Sequence, residues 1–171
     1  MKAHFAMFAL YNRWANQRLY AAAAKLSDAD YRSNRGAFFG SMHGTLNHLL
    51  VTDQIWIRRF TGEGPAHSTL DAIIHDQFAP LRAACAAEDE RIIKFIDSLS
   101  DAAFEQAFSY TTITSPKTLS QRRSPALAHW FNHQTHHRGQ AHMILSSIGG
   151  RDTAPSMDLI FFQRETGVGL D

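Results

Sequence analysis

Four histidines crowd one short stretch of the chain: His129, His133, His136 and His137, in the run His129-Trp130-Phe131-Asn132-His133-Gln134-Thr135-His136-His137-Arg138-Gly139-Gln140. At about 3.6 residues per helical turn, His133 and His137 stack one turn apart on a single face, close enough for two imidazoles to reach one metal ion. They share a stripe with Ala126, His129, Trp130, Gln140, Ile144 and Ile148, so they point inward. A buried imidazole with an unsatisfied nitrogen costs on the order of 1–3 kcal/mol, and a divalent metal would satisfy two at once.

Two ligands are too few for tight binding, so a third must come from another helix. His48 is the leading candidate, because it sits mid-helix beside Val51, Thr52 and Ile55. His43, near a helix end, and His4, near the terminus, are the weaker alternatives. Three histidines leave a coordination position open, as in catalytic rather than structural sites. His129 is an alternative ligand, one turn before His133. His136, about 60° off the stripe, is a neighbour or a base. His142 falls opposite His133 and is expected to be exposed, while His67 and His75 lie in loop-like sequence.

The segment His133-Gln134-Thr135-His136-His137 has the spacing of the H-E-x-x-H metalloprotease helix, but Gln134 stands where that helix carries its glutamate base. Glutamine cannot take a proton, which excludes that protease chemistry. No glycine-rich phosphate loop, serine nucleophile elbow or paired-cysteine zinc module is present.

The elements that must position these side chains are predominantly helical. Helical periodicity runs from about Lys2 to Leu26, with His4, Met7, Phe8, Tyr11, Trp14, Ala15, Arg18 and Ala22 on one stripe. Ser27-Asp28-Ala29-Asp30 reads as a stop and a fresh cap for a single turn to Arg32, and Gly36 and Gly40 bracket a loop carrying Phe38 and Phe39. A second long helix runs from about Ser41, its cap, to Phe60, and Gly62-Glu63-Gly64-Pro65 ends it. It is apolar on two sides, as a central helix would be.

Ser68 to Gln77 has helical composition, and Pro80 should kink or restart a third helix placed from about Phe78 to Leu99. Cys85 lies on that helix's apolar stripe, as a small core residue. Ser100-Asp101 caps a short turn. Phe108 to Thr114, the turn Ser115-Pro116-Lys117, and Thr118 to Gln121 then read as a small hairpin or extended excursion. A fourth helix starts with Ser124 as cap and Pro125 at its first position, and runs to about Ile148 before Gly149-Gly150. An irregular tail from Pro155 should dock Met157, Leu159, Ile160, Phe161 and Phe162. The pattern is all-α: a four-helix bundle with one small β excursion between helices 3 and 4, as a single domain over residues 1–171.

Composition narrows the functional classes. Apolar residues make up 44% and charged residues 19%, which suits a folded chain rather than a disordered one. With 17 Lys plus Arg against 16 Asp plus Glu, scattered apart from the pairs Arg58-Arg59 and Arg122-Arg123, there is no electrostatic case for nucleic acid. One cysteine allows no intrachain disulfide, which fits a reducing cytoplasm. There is no signal-peptide pattern, and no apolar run approaches the roughly 20 residues of a membrane helix.

Three stretches, taken in order, resemble the DinB-like family: Tyr11-Asn12-Arg13-Trp14-Ala15-Asn16; Gly44-Thr45-Leu46-Asn47-His48-Leu49-Leu50 with Asp53 and Trp56; and Asn132-His133-Gln134-Thr135-His136-His137-Arg138-Gly139-Gln140. The resemblance extends over nearly the whole chain, to Asp158-Leu159-Ile160. It implies a four-helix bundle, commonly a homodimer, with a divalent metal, zinc or nickel, held by His48, His133 and His137. The family name refers to induction by DNA damage, not to polymerase activity, and characterised relatives include transferases and isomerases that use the thiols mycothiol, bacillithiol or glutathione.

Two functions follow as expectations. One is a metal-dependent enzyme, such as a thiol S-transferase or a hydrolase, acting on a small molecule, with Asp53, Arg138, Gln140 and His136 as further candidates around the site. The other is a non-catalytic metal-binding or stress-response protein.

Overall fold

The structure, a computed structural model, describes residues 1–170; Asp171, the last residue of the expected domain, lies outside them. Among the described residues the fold is mostly helical, with six α-helices: α1 (Lys2–Ala23), α2 (Asp28–Arg32), α3 (Met42–Thr61), α4 (Phe78–Ser98), α5 (Arg123–Gly149) and α6 (Leu159–Thr166). Between α4 and α5, β1 (Ala107–Thr111) pairs antiparallel with β2 (Thr118–Arg122), in the register Ala107 with Arg122 and Thr111 with Thr118. Helices α1 and α3 each pack on both α4 and α5. Among the described residues no helix is long and apolar enough to cross a membrane.

Several local signals act as the sequence reads. Ser27 caps α2 by accepting from the Asp30 N–H at 3.1 Å, and Ser41 caps α3 by accepting from the Gly44 N–H at 3.0 Å. Gly62 closes α3 in the left-handed region at φ 79°. The hairpin lies where β-branched and aromatic residues cluster, and Asp101–Phe104 forms a 3₁₀ turn.

Other boundaries move for identifiable reasons. Helix α1 ends at Ala23 rather than Leu26, because the N–H groups of Lys25 and Leu26 turn back three residues to Ala22 and Ala23. Pro80 kinks nothing: it is the third residue of α4, where a backbone N–H has no intrahelical partner to lose. Ser68 to Gln77 is not helical. The Asn47 side chain pins it, accepting from the N–H groups of Ile74 and His75 at 3.0 Å each and donating to the His75 carbonyl at 3.1 Å. Helix α5 starts at Arg123 without a Ser124 cap, since β2 runs directly into it and the Arg123 N–H donates to the Gln106 carbonyl at 2.9 Å. The tail is helical at α6, not irregular throughout. It buries Phe162 but leaves Ile160 and Phe161 exposed, as an eight-residue helix docked by one face must.

The stripes read from sequence are also too narrow. A helix with neighbours on two sides buries a broad arc, and α3 buries most of its length. On α1 the core residues include Phe5, Asn12, Asn16 and Leu19, while His4 stays outside. On α5 they include Leu127, Phe131, Gln134, Arg138 and Leu145, whereas His129 is exposed and His142 is half-buried rather than exposed.

Candidate metal centre

Helices α3 and α5 run antiparallel. Trp56, near the end of α3, packs against His129, near the start of α5, while His48, two turns earlier on α3, meets His133 and His137. The His48 ring centroid is 4.4 Å from that of His137 and 5.2 Å from that of His133, and the latter two are 4.4 Å apart. One ligand nitrogen from each of the three lies within 4.8 Å of the others.

Hydrogen bonds select the tautomers. The His48 Nδ1 lies 2.7 Å from the carbonyl oxygen of Leu70. A carbonyl only accepts, so Nδ1 carries the proton and Nε2 is left as a bare acceptor. That Nε2 is buried and has no hydrogen-bond partner. The His137 Nδ1 is 2.9 Å from Gln140 Oε1, another pure acceptor, which likewise frees its Nε2. The amide of Gln140 then donates through Nε2 to His136 Nε2 at 3.1 Å. His133 contributes an enclosed, unpartnered Nδ1. Oriented imidazoles with a second-sphere acceptor on the far nitrogen are the usual dress of a metal ligand.

Burial keeps all three rings neutral, the state a metal requires. It is the leading cause that lowers His48 to about 4 and His133 to about 3, and it also lowers His137. Mutual proximity lowers His48 and His133 further, while the hydrogen bonds to Leu70 and Gln140 partly oppose the shift at His48 and His137. Three neutral imidazoles converging around enclosed, unpartnered nitrogens fit a divalent ion.

Phe39 stacks on His48 at 3.7 Å between centroids and meets His137 edge-on at 5.4 Å. Gly44 permits this, because a side chain there would collide with the Phe39 carbonyl. A cavity of about 150 Å³ lies beside His133, bounded also by Thr52, Ile55, Leu70, Ile113 and His129.

The remaining sequence candidates separate. His43 bonds the His75 carbonyl at 3.3 Å and His4 packs on Phe8, so neither joins the group. His129 lines the cavity, with its ring 5.9 Å from that of His133. Asp53 and Arg138 belong to a buried polar layer that holds the helices together. Asp53 accepts from Trp130 Nε1 at 2.7 Å and from Gln134 Nε2. Arg138 donates to Asn12, to Asn16 at 3.4 Å and to Thr135 at 3.3 Å. Asn12 and Asn16 in turn donate to Asp89 at 3.1 and 2.9 Å. Burial raises both carboxyls, Asp89 to about 7, with Arg138 opposing. Gln134, at the position of the protease glutamate, faces this layer through Leu49, Thr52 and Asp53.

Sequence reasoning missed two contributors. Nothing marks Leu70, which acts through its backbone, whereas Phe39 carried a faint signal in its glycine-bracketed loop.

The family model described as the DinB family matches residues 1–168. Protein DinB of Bacillus subtilis (strain 168) is 26% identical over 168 residues, an alignment covering 91% of this chain and 92% of that protein.

Proposed function

Since the chain belongs to the DinB family, we propose that it is a metal-dependent enzyme whose divalent ion, zinc or nickel, is held by His48, His133 and His137, and that it transfers a low-molecular-weight thiol to an electrophile. The observation that carries the reading is the buried, unpartnered Nε2 of His48, oriented by Leu70 toward two further imidazoles. On this reading the four long helices α1, α3, α4 and α5 form the bundle that holds the site.

A bound divalent ion lowers the pKa of a thiol or water beside it, making a nucleophile at neutral pH. The protein supplies the rest. Phe39 and the α3–α5 core exclude water on one side, while the cavity beside His133 admits the reactants. His129 lines that cavity; it is exposed, but partial desolvation and the nearby Arg59 charge lower its pKa, so the neutral imidazole can accept a proton. In the transfer the sulfur–carbon bond forms as the bond from that carbon to its leaving group breaks. The leaving group keeps the electron pair, and the thiol proton goes to His129.

Metal analysis of purified protein, followed by thiol titration of the cobalt-substituted form and conjugation assays against an electrophile panel, tests the reading. Metal loading with no thiol-dependent change in the cobalt spectrum would sink the transferase proposal. A second reading, a non-catalytic metal-binding protein, is favoured by Phe39, which stacks directly on a ligand ring. It predicts full metal loading with no turnover and no thiol perturbation.

A further inference from the structure

Arg59 lies on the same side of α3 as His48, Thr52 and Ile55, three turns beyond His48 and roughly 16 Å along the helix axis. Side chains on a helix lean toward its N-terminus, so the long arginine leans back toward the histidines. It borders the same cavity as His133 and His129. Its guanidinium carbon sits 4.6 Å from the Trp56 ring centroid and 4.5 Å from that of Tyr110, clamped between α3 and β1. Among the described residues it has no salt bridge and no side-chain hydrogen bond, so its donors are free while its faces are fixed.

The charged side chains on the walls are arginines. Arg59 also lines a neighbouring cleft of about 380 Å³, together with Arg58 and His67. No aspartate or glutamate lines either space, whereas Ser109, Tyr110, Thr111 and Thr114 offer hydroxyls. A half-buried arginine held flat by two aromatic rings, with its fork of donors unspent, is built to take a carboxylate or phosphate.

We infer that Arg59 is the anion-recognition residue of this site, selecting small molecules that carry a carboxylate at one end and present the other end to the three histidines. The inference rests on the proposed thiol transfer only for the identity of that second end. Arg59 acts by binding and positioning; it is not a metal ligand.

The test uses the full-length, cobalt-loaded protein and three probes: a mercaptohexanoate, its neutral amide, and hexanoate, which lacks sulfur. Calorimetry gives the affinities and the cobalt spectrum reports sulfur at the metal. A charge-assisted hydrogen bond implies that the carboxylate thiol binds about ten- to a hundredfold more tightly than the amide. Arg59→Gln should abolish that preference while cobalt stoichiometry stays at the wild-type level, and Arg59→Lys should restore part of it. An unchanged preference in Arg59→Gln, or no preference in the wild type, overturns the inference. Arg59-dependent binding of hexanoate, with no spectral response to either thiol, would support Arg59 as the anion site and defeat the thiol reading.

Discussion

The imidazole of His48 on α3 donates from Nδ1 to the backbone carbonyl of Leu70 at 2.7 Å, so a segment without regular secondary structure sets the aim of a candidate metal ligand. That segment is fixed in turn by Asn47, the residue beside His48, whose amide makes three hydrogen bonds to its backbone. Asn47→Ala should therefore release the segment and the imidazole together. We expect metal affinity to fall by about 10- to 100-fold, as when a second-sphere partner is lost. A chelator-competition titration checks this, and unchanged affinity would detach Leu70 from the site.

Ligand replacement should divide the histidine cluster. His48→Ala, His133→Ala and His137→Ala are each expected to lose most of the bound metal, whereas His129→Ala and His136→Ala keep it. Elemental analysis of the five purified variants gives the answer. Full stoichiometry in both His133→Ala and His137→Ala would remove the proposed centre.

The stability of metal-free protein should depend on pH in a defined sense. The folded pKa values of His48 and His133, about 4 and about 3, lie below the ordinary 6.5. The unfolded chain therefore binds these protons first. Their contribution is fully present above about pH 6.5 and is lost as the pH falls through the folded values. Asp89 acts in reverse: raised to about 7, it favours folding at low pH and loses that contribution as the pH rises from its ordinary 3.8 through 7. Denaturant titrations in chelator should show a shallower acid-side slope for His133→Phe than for wild type.

Arg138→Met should destabilise the fold without acting on the metal directly. It strips the buried guanidinium from Asn12 and Asn16 and removes the positive charge that opposes the raised carboxyls of Asp53 and Asp89. Breaking such a buried arrangement costs about 3–5 kcal/mol. Urea denaturation measures that loss, and metal content measured well below the melting temperature should match wild type. Selective loss of metal from a fully stable variant would instead place Arg138 in the site.

The long helices and the hairpin were legible because they arise from local periodicity, caps and turn chemistry, as at Ser41, Gly62 and Ser115-Pro116-Lys117. The proximity of His48 to His133 and His137 was legible too, since helical phase placed the last two together and an enclosed mid-helix position singled out His48. The buried polar layer was not. Asp53 and Arg138 read as candidates around the site, and Asn12 and Gln134 carry no mark of burial, because their partners lie on other helices and no local pattern encodes those partners. The Ser68 to Gln77 segment misled for the same reason: its composition suits a helix, but tertiary hydrogen bonds from Asn47 outweigh that preference.

The hairpin contributes Thr112, Ile113 and Thr114 to the cavity wall, yet its second strand is almost wholly exposed. The histidines, by contrast, stand on helices anchored in the core. On the proposed reading, the residues that would hold the metal and part of the wall that would admit reactants thus sit on separable parts of the molecule. If the proposed reading holds, exchange or lengthening of residues 112–117 would alter which molecules reach the histidines without touching the helices that carry them.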